Sequence, residues 1–165
     1  MYQTWQEPVH RISSKNMQEP FGKVPCIEDG DFRLYESRAI ARYYAAKYAG
    51  QGTELLGNTL EDRAKVDQWI DIEAMSYDPL VFPIVFNIVI LPHLGKSSDI
   101  SVVNSSVEKL NTLLDVYEHR LSKTKYLAGD KFSLADLVHI PATRRLLENC
   151  NLGYLFEGRK HVKAW

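Results

Sequence analysis

The stretch "FGKVPCIEDGDFRLYESRAI", residues 21–40, decides how this chain is read. Val24 to Ile27 and Phe32 to Tyr35 are short strand-like runs, and Glu28-Asp29-Gly30-Asp31 between them is a hairpin signal. From Ser37 the pattern becomes helical, with Ala39, Ile40, Tyr43, Tyr44 and Lys47 recurring at three and four. Glu36-Ser37 therefore stands where a strand turns into a helix, with Ser37 as N-cap or first-turn residue. A helix start offers unpaired backbone N–H groups and the positive end of the dipole, which favour a carboxylate. A serine hydroxyl adds one more hydrogen bond, and the neighbouring glutamate suits an ammonium. The pair fits the zwitterionic end of an amino acid or peptide, while plain helix capping explains the same two residues. Val24-Pro25 leaves a similar choice. A trans proline opening an edge strand and a cis proline that turns the Val24 backbone toward a ligand both fit the sequence.

Around this stretch, residues 1–19 show no period of 2 or 3.6 and read as irregular. "AGQGTELLGNTLED", residues 49–62, has the composition of a linker, and everything beyond it reads as helical. The expected organisation is an N-terminal domain over 1–50, a linker over 51–60 and an all-helical domain over 61–165. Residues 61–76 form an amphipathic run that Tyr77-Asp78-Pro79 interrupts or kinks. "LVFPIVFNIVIL", residues 80–91, is almost wholly apolar, so it is buried or lines an apolar cavity. Val103, Val107, Leu110, Leu113, Leu114, Tyr117 and Leu121 lie on one stripe of a helix over 101–121. Ser133 and Asp136 have capping-box spacing, with Phe132 and Leu137 as a hydrophobic staple.

Composition excludes several classes. A net charge of −1 and a pI near 6.5 do not suit a protein that tracks nucleic-acid phosphates. The short run Arg159-Lys160-His161 reads as a solvated helix face. Two cysteines, Cys26 and Cys150, make no disulfide framework. His10, His93, His119, His139 and His161 show no metal-ligand spacing, so no metal site is expected. No stretch reaches the roughly eighteen apolar residues of a membrane span, and no signal-peptide core precedes residue 20, so a cytoplasmic location is expected.

"PFGKVPCIEDGDFRLYESRAIARYYAAKY", residues 20–48, resembles the phi class of plant glutathione transferases. "YLAGDKFSLADLVHIPA", residues 126–142, matches the same family's helical-domain signature at the proper distance. The resemblance covers about residues 20–165 and implies an α+β fold. A remnant of a thioredoxin-like domain, a β-hairpin plus a helix, is followed by an all-α glutathione-transferase C-terminal domain. It implies glutathione as co-substrate with no further cofactor, a hydrophobic electrophile as second substrate, and a homodimer or association with an intact relative.

By the same resemblance Pro25 is cis, and Val24 pairs with the cysteinyl backbone of glutathione. Glu36 and Ser37 hold the γ-glutamyl end. Lys23, where relatives often carry glutamine, also touches the peptide. Phe82, Phe86 and Ile90 are expected to contribute to the hydrophobic-substrate site. The family's thiol-activating serine has no counterpart: Ser13 and Ser14 lie in an unpatterned stretch, so neither takes the role and no catalytic residue is assigned. Cys26 reads as a buried, inert thiol. The chain resembles a relative trimmed at both ends, which implies little turnover of its own. The alternative is a non-catalytic flavonoid or anthocyanin carrier, to whose branch residues 41–74 are similar. In that reading Tyr43, Tyr44, Trp69, Tyr77, Phe82 and Phe86 supply flat stacking surfaces, although ordinary core packing explains most of them.

Overall fold

The computed structural model describes residues 21–165. The irregular stretch expected over 1–19, with Ser13 and Ser14, lies outside the described residues. Two compact units divide the chain between Gln51 and Gly52.

The first unit is built from β1 (Cys26–Asp29), β2 (Phe32–Tyr35) and α1 (Ser37–Lys47). The strands pair antiparallel with Cys26 opposite Tyr35 and Asp29 opposite Phe32. β1 therefore starts two residues later than the apolar run suggests. Proline has no N–H for the ladder, and the first paired residue follows Pro25. The turn is only Gly30-Asp31. Gly30 has φ +60°, as the first central residue of a II′-type hairpin requires. Cys26 and Ile27 are buried, and Arg33 Nε donates to Glu28 Oε1 at 2.7 Å across the strand pair. Asp29, closing the hairpin, binds both the Tyr43 hydroxyl and the Lys47 ammonium of α1. The Phe32 ring lies 5.2 Å from that of Tyr43. These contacts fasten the hairpin to its helix.

The second unit is a helical bundle. α2 (Leu60–Ile72) leads through a π-helical turn, Glu73–Tyr77, into α3 (Asp78–Val85). A second π-helical turn, Phe86–Ile90, leads into α4 (Leu91–His93). Tyr77-Asp78-Pro79 does not break the helix as its proline suggests. The Asp78 N–H bonds five residues back to the Glu73 carbonyl, and the wider turn carries the chain past Pro79. Leu60–His93 is thus one helical run of 34 residues, long and apolar enough by length and composition to cross a membrane, contrary to the sequence expectation. Its buried residues, among them Trp69, Ile70, Tyr77, Val81 and Ile84, belong to the bundle core. A core helix of a water-soluble bundle passes the same length test.

α5 (Ile100–Leu121), α6 (Leu134–Glu148), α7 (Tyr154–Glu157) and α8 (Lys160–Ala164) complete the unit. The buried stripe of α5 is Val103, Ser106, Leu110, Leu114, Tyr117 and Leu121. Val107 and Leu113 of the expected set are half-buried at the edges of this stripe, and Ser106 is buried beside it. Tyr117 and Tyr77 are fully buried, and burial pushes both phenols well above their ordinary pKa. Each hydroxyl has a partner: Tyr77 meets Thr143 Oγ1 at 2.7 Å and Tyr117 meets His139 Nε2 at 2.9 Å. His139 Nδ1 lies 2.7 Å from the Ala135 carbonyl and so must carry the proton. Nε2 then accepts from Tyr117.

Asp136, only 1% exposed, ties three segments together. Its Oδ2 accepts the backbone N–H and the hydroxyl of Ser133 at 2.9 and 3.0 Å, the carboxylate half of the expected capping box. Its Oδ1 accepts the Leu127 N–H at 3.0 Å and the Trp165 indole N–H at 2.8 Å. Glu118 of α5 works similarly on α8, accepting the N–H groups of His161 and Val162, each at 2.9 Å from Oε2. Burial opposes its charge. Those two N–H groups, with His161 and Arg159 nearby, outweigh that and hold its pKa below the ordinary carboxylate value.

Two outcomes follow from this bundle. A lowered folded-state pKa adds stability above the unfolded value and loses it as pH falls through the folded one. Glu118→Gln should therefore melt lower than the parent near neutrality, by under about 1 kcal/mol for so accessible a group. The gap should close below about pH 4, as melting curves across pH would record. Gly57, at φ +92°, has the Asp62 Cβ 2.6 Å from where its own Cβ would stand. Asp62 is the capping-box partner of Thr59 at the start of α2. Gly57→Ala should cost about 2 kcal/mol or more in thermal unfolding, from strain at positive φ plus the clash.

Candidate glutathione site

The end of β2 and the start of α1 form a notch of about 60 Å³ lined by Lys23, Val24, Pro25, Tyr35, Glu36 and Ser37. The five corner residues expected from sequence are thus brought to one place. Tyr35 joins them without having been singled out. The signal that could have found it is its position at the last residue of β2, immediately before Glu36.

The local fold explains the notch. β1 begins at Cys26, so Val24 lies beyond the ladder and is 68% exposed, and the Val24–Pro25 peptide bond is cis, as the resemblance implies. Glu36 sits at φ 71°, ψ 113°, a backbone conformation that non-glycine residues rarely adopt. It is the N-cap by geometry, since the Ile40 N–H bonds its carbonyl at 2.9 Å, yet its side chain makes no capping bond. Ser37 is accordingly the first helical residue and not the cap. Among the described residues neither the Glu36 carboxylate nor the Ser37 hydroxyl has a hydrogen-bond partner. Two side-chain groups of complementary use are therefore left open at the N-terminus of an eleven-residue helix. The carboxylate can take an ammonium. The hydroxyl and the first backbone N–H groups of α1 can take a carboxylate.

Phe82, Phe86 and Ile90 lie on the helical run of the second unit. Phe82 is 56% exposed and the other two are half-buried, while Val81, Ile84 and Val85 face the core. The rings of Phe82 and Phe86 stack at 5.6 Å with planes 28° apart. Trp69 and Tyr77 do not offer stacking surfaces and take the core-packing role instead. Trp69 packs edge-on to Tyr117 at 5.1 Å, and both it and Tyr77 are buried. Tyr43 is held by Asp29. Cys26 is buried with its thiol free of any disulfide.

Comparison with known proteins places this architecture. The family model for the glutathione S-transferase C-terminal domain matches residues 77–165, and that for the N-terminal domain matches residues 14–46. Glutathione S-transferase F10 of Arabidopsis thaliana is 51% identical over 147 residues, covering 89% of this chain and 68% of that protein. The crystal structure of glutathione transferase F7 from Populus trichocarpa superposes with a TM-score of 0.85 at 44% identity, over 89% of this chain and 69% of the other. Maize glutathione S-transferase I in complex with an atrazine glutathione conjugate gives 0.81 at 45% identity, over 89% and 68%. Hairpin-plus-helix of a thioredoxin-like N-terminal domain, all-α C-terminal domain and these relatives agree: the chain belongs to the glutathione transferase family, in its plant phi class.

Proposed function

We propose that this chain binds glutathione at the Glu36–Ser37 corner and serves its conjugation to hydrophobic electrophiles. The supporting observation is the pair of uncommitted groups at the open start of α1, in a chain of this family. In this reading Glu36 pairs with the γ-glutamyl ammonium. Ser37 and the α1 N–H groups take the adjacent carboxylate, Val24 pairs with the cysteinyl backbone, and Lys23 and Pro25 complete the wall. Phe82, Phe86 and Ile90 take the apolar co-substrate. A chain of this class is proposed to act in the cytoplasm, as a homodimer or in association with an intact relative.

Conjugation needs the thiolate. No described residue is assigned to stabilise it, so oriented binding is the main contribution expected of this chain. Turnover of a chloronitrobenzene should be weak or undetectable, and a rate within tenfold of an intact phi-class enzyme would overturn that expectation. Calorimetric titration of the folded protein with glutathione tests the binding itself. Millimolar or tighter affinity supports the site, and a folded protein that takes up no heat removes it. The second reading, a non-catalytic carrier of flavonoids or anthocyanins, is favoured by the stacked Phe82–Phe86 pair, of which Phe82 is exposed. A flavonol that leaves tryptophan emission unchanged at tens of micromolar counts against it.

A further inference from the structure

We propose that Asn87 is a positioning residue that sets the line of the apolar face formed by Phe82, Phe86 and Ile90. The inference rests on reading that face as the seat of the hydrophobic ligand. Asn87 is 6% exposed although it lies in the most apolar stretch of the chain. A buried amide is retained only where its donors and acceptors are used. Here they are used across two segments. Nδ2–H donates to the Pro83 carbonyl at 2.8 Å, and Oδ1 accepts the Asp99 N–H at 2.8 Å. The Asn87 carbonyl accepts the Ser98 hydroxyl at 2.6 Å. Asp99 is the N-cap of α5, holding the N–H groups of Ser101 and Val102. Asn87 thus pins the π-helical turn Phe86–Ile90 to the start of the neighbouring helix.

The turn matters for the face. In an α-helix four residues overshoot one revolution by about 40°, so three side chains spaced by four drift steadily around the cylinder. Phe82 to Phe86 takes that α-type step. Phe86 to Ile90 runs through the wider π turn, where the Leu91 N–H reaches back five residues to the Phe86 carbonyl. With more residues per turn, four fall short of a revolution and the drift reverses. Ile90 comes back toward the line of Phe82, and the three side chains form one straight strip. Losing the Asn87 bridge removes the side-chain partner of the Pro83 carbonyl, in α3 just before the irregular turn, and the tie from the turn to Asp99. The register is then free to return to α, which swings Ile90 off the strip.

The test uses 8-anilinonaphthalene-1-sulfonate, followed by fluorescence, on the full chain and four variants, with glutathione affinity and melting temperature measured in parallel. Phe82→Glu should abolish saturable dye binding if the strip is the ligand face. Asn87→Ala should weaken the dye about tenfold, the size of a buried hydrogen bond lost, with glutathione affinity unchanged. Asn87→Asp keeps the acceptor for Asp99 but sets a buried carboxylate oxygen against the Pro83 carbonyl, and should weaken the dye at least as much as alanine does. Val103→Ala, a core truncation in α5, should lower the melting temperature and leave the dye affinity alone. If Phe82→Glu acts and Asn87→Ala does not, the positioning role is wrong and the ligand face stands. If Val103→Ala weakens the dye as much as Asn87→Ala, Asn87 is merely structural and the proposal falls. If Phe82→Glu changes nothing, the ligand face and the proposal fall together.

Discussion

Asp136→Ala is expected to be the most damaging single substitution in the helical unit, lowering its stability by about 3–5 kcal/mol. The carboxylate is 1% exposed and serves four donors, from Ser133 twice, from Leu127 and from Trp165. Removing it strands the buried Leu127 N–H, where an unmet donor costs about 1–3 kcal/mol, and takes the partner from the half-buried Trp165 indole N–H. It also removes the carboxylate half of the capping box at Ser133, the N-cap of α6. Asp136→Asn separates the contributions, because the amide oxygen can still accept while its NH2 must face a donor on the other side. Its loss should lie between the parent and alanine. Chemical denaturation followed by far-UV circular dichroism measures all three. An alanine variant within about 1 kcal/mol of the parent would show that the network is dispensable.

The second large effect concerns binding. Glu36→Gln keeps the shape and backbone of the notch but removes the charge proposed to pair with the γ-glutamyl ammonium. A charge-assisted hydrogen bond is worth about 1.5–3 kcal/mol, so glutathione affinity should fall ten- to hundredfold. Ser37→Ala removes a neutral bond and should cost no more than about tenfold. Glu36→Gly is the informative companion. At φ 71° glycine avoids the strain that glutamate bears, so this variant should melt no lower than the parent while binding glutathione as poorly as Glu36→Gln. A glycine variant that melts well below the parent would mean that the side chain holds the corner together. Calorimetry and melting curves on the same samples decide between these.

The corner was legible because its residues sit in two short runs at either end of one hairpin, and hairpin signals are local. Val24-Pro25 and Glu36-Ser37 need only the turn at Gly30-Asp31 to bring them together. The start of β1 was misplaced because apolarity identifies a strand while ladder donors bound it, and Pro25 has none. Both π turns were invisible to a search for a 3.6 period, which assumes the register never changes. For Trp69 and Tyr77 a stacking surface and a core position both stayed open, because aromatic identity says nothing about which side of a helix faces inward; both are core. Asn87 was missed for a different reason. Its partners Ser98 and Asp99 lie 11 and 12 residues away, across the end of α4 and the following loop, and no local pattern announces them.

The π turns also fix where this chain tolerates changes of length. A wide turn is what a helix becomes when it absorbs an extra residue without breaking. Deleting one residue within Phe86–Ile90 would leave a continuous and more regular helix. Five residues through a wide turn and four through an α turn advance the chain by nearly the same angle. The phase of the flanking helix, and with it the facing of Val81, Ile84 and Val85, would be kept, while the anchor at Asn87 would be displaced. The loop between Tyr48 and Thr59 carries no such phase, and a residue gained or lost at Gly50 or Gly52, where nothing crowds the backbone, only lengthens or shortens a path through solvent. Between homologous chains, longer gaps should therefore collect in that loop, while any gap between Glu73 and Ile90 should be a single residue and fall within one of the two π turns.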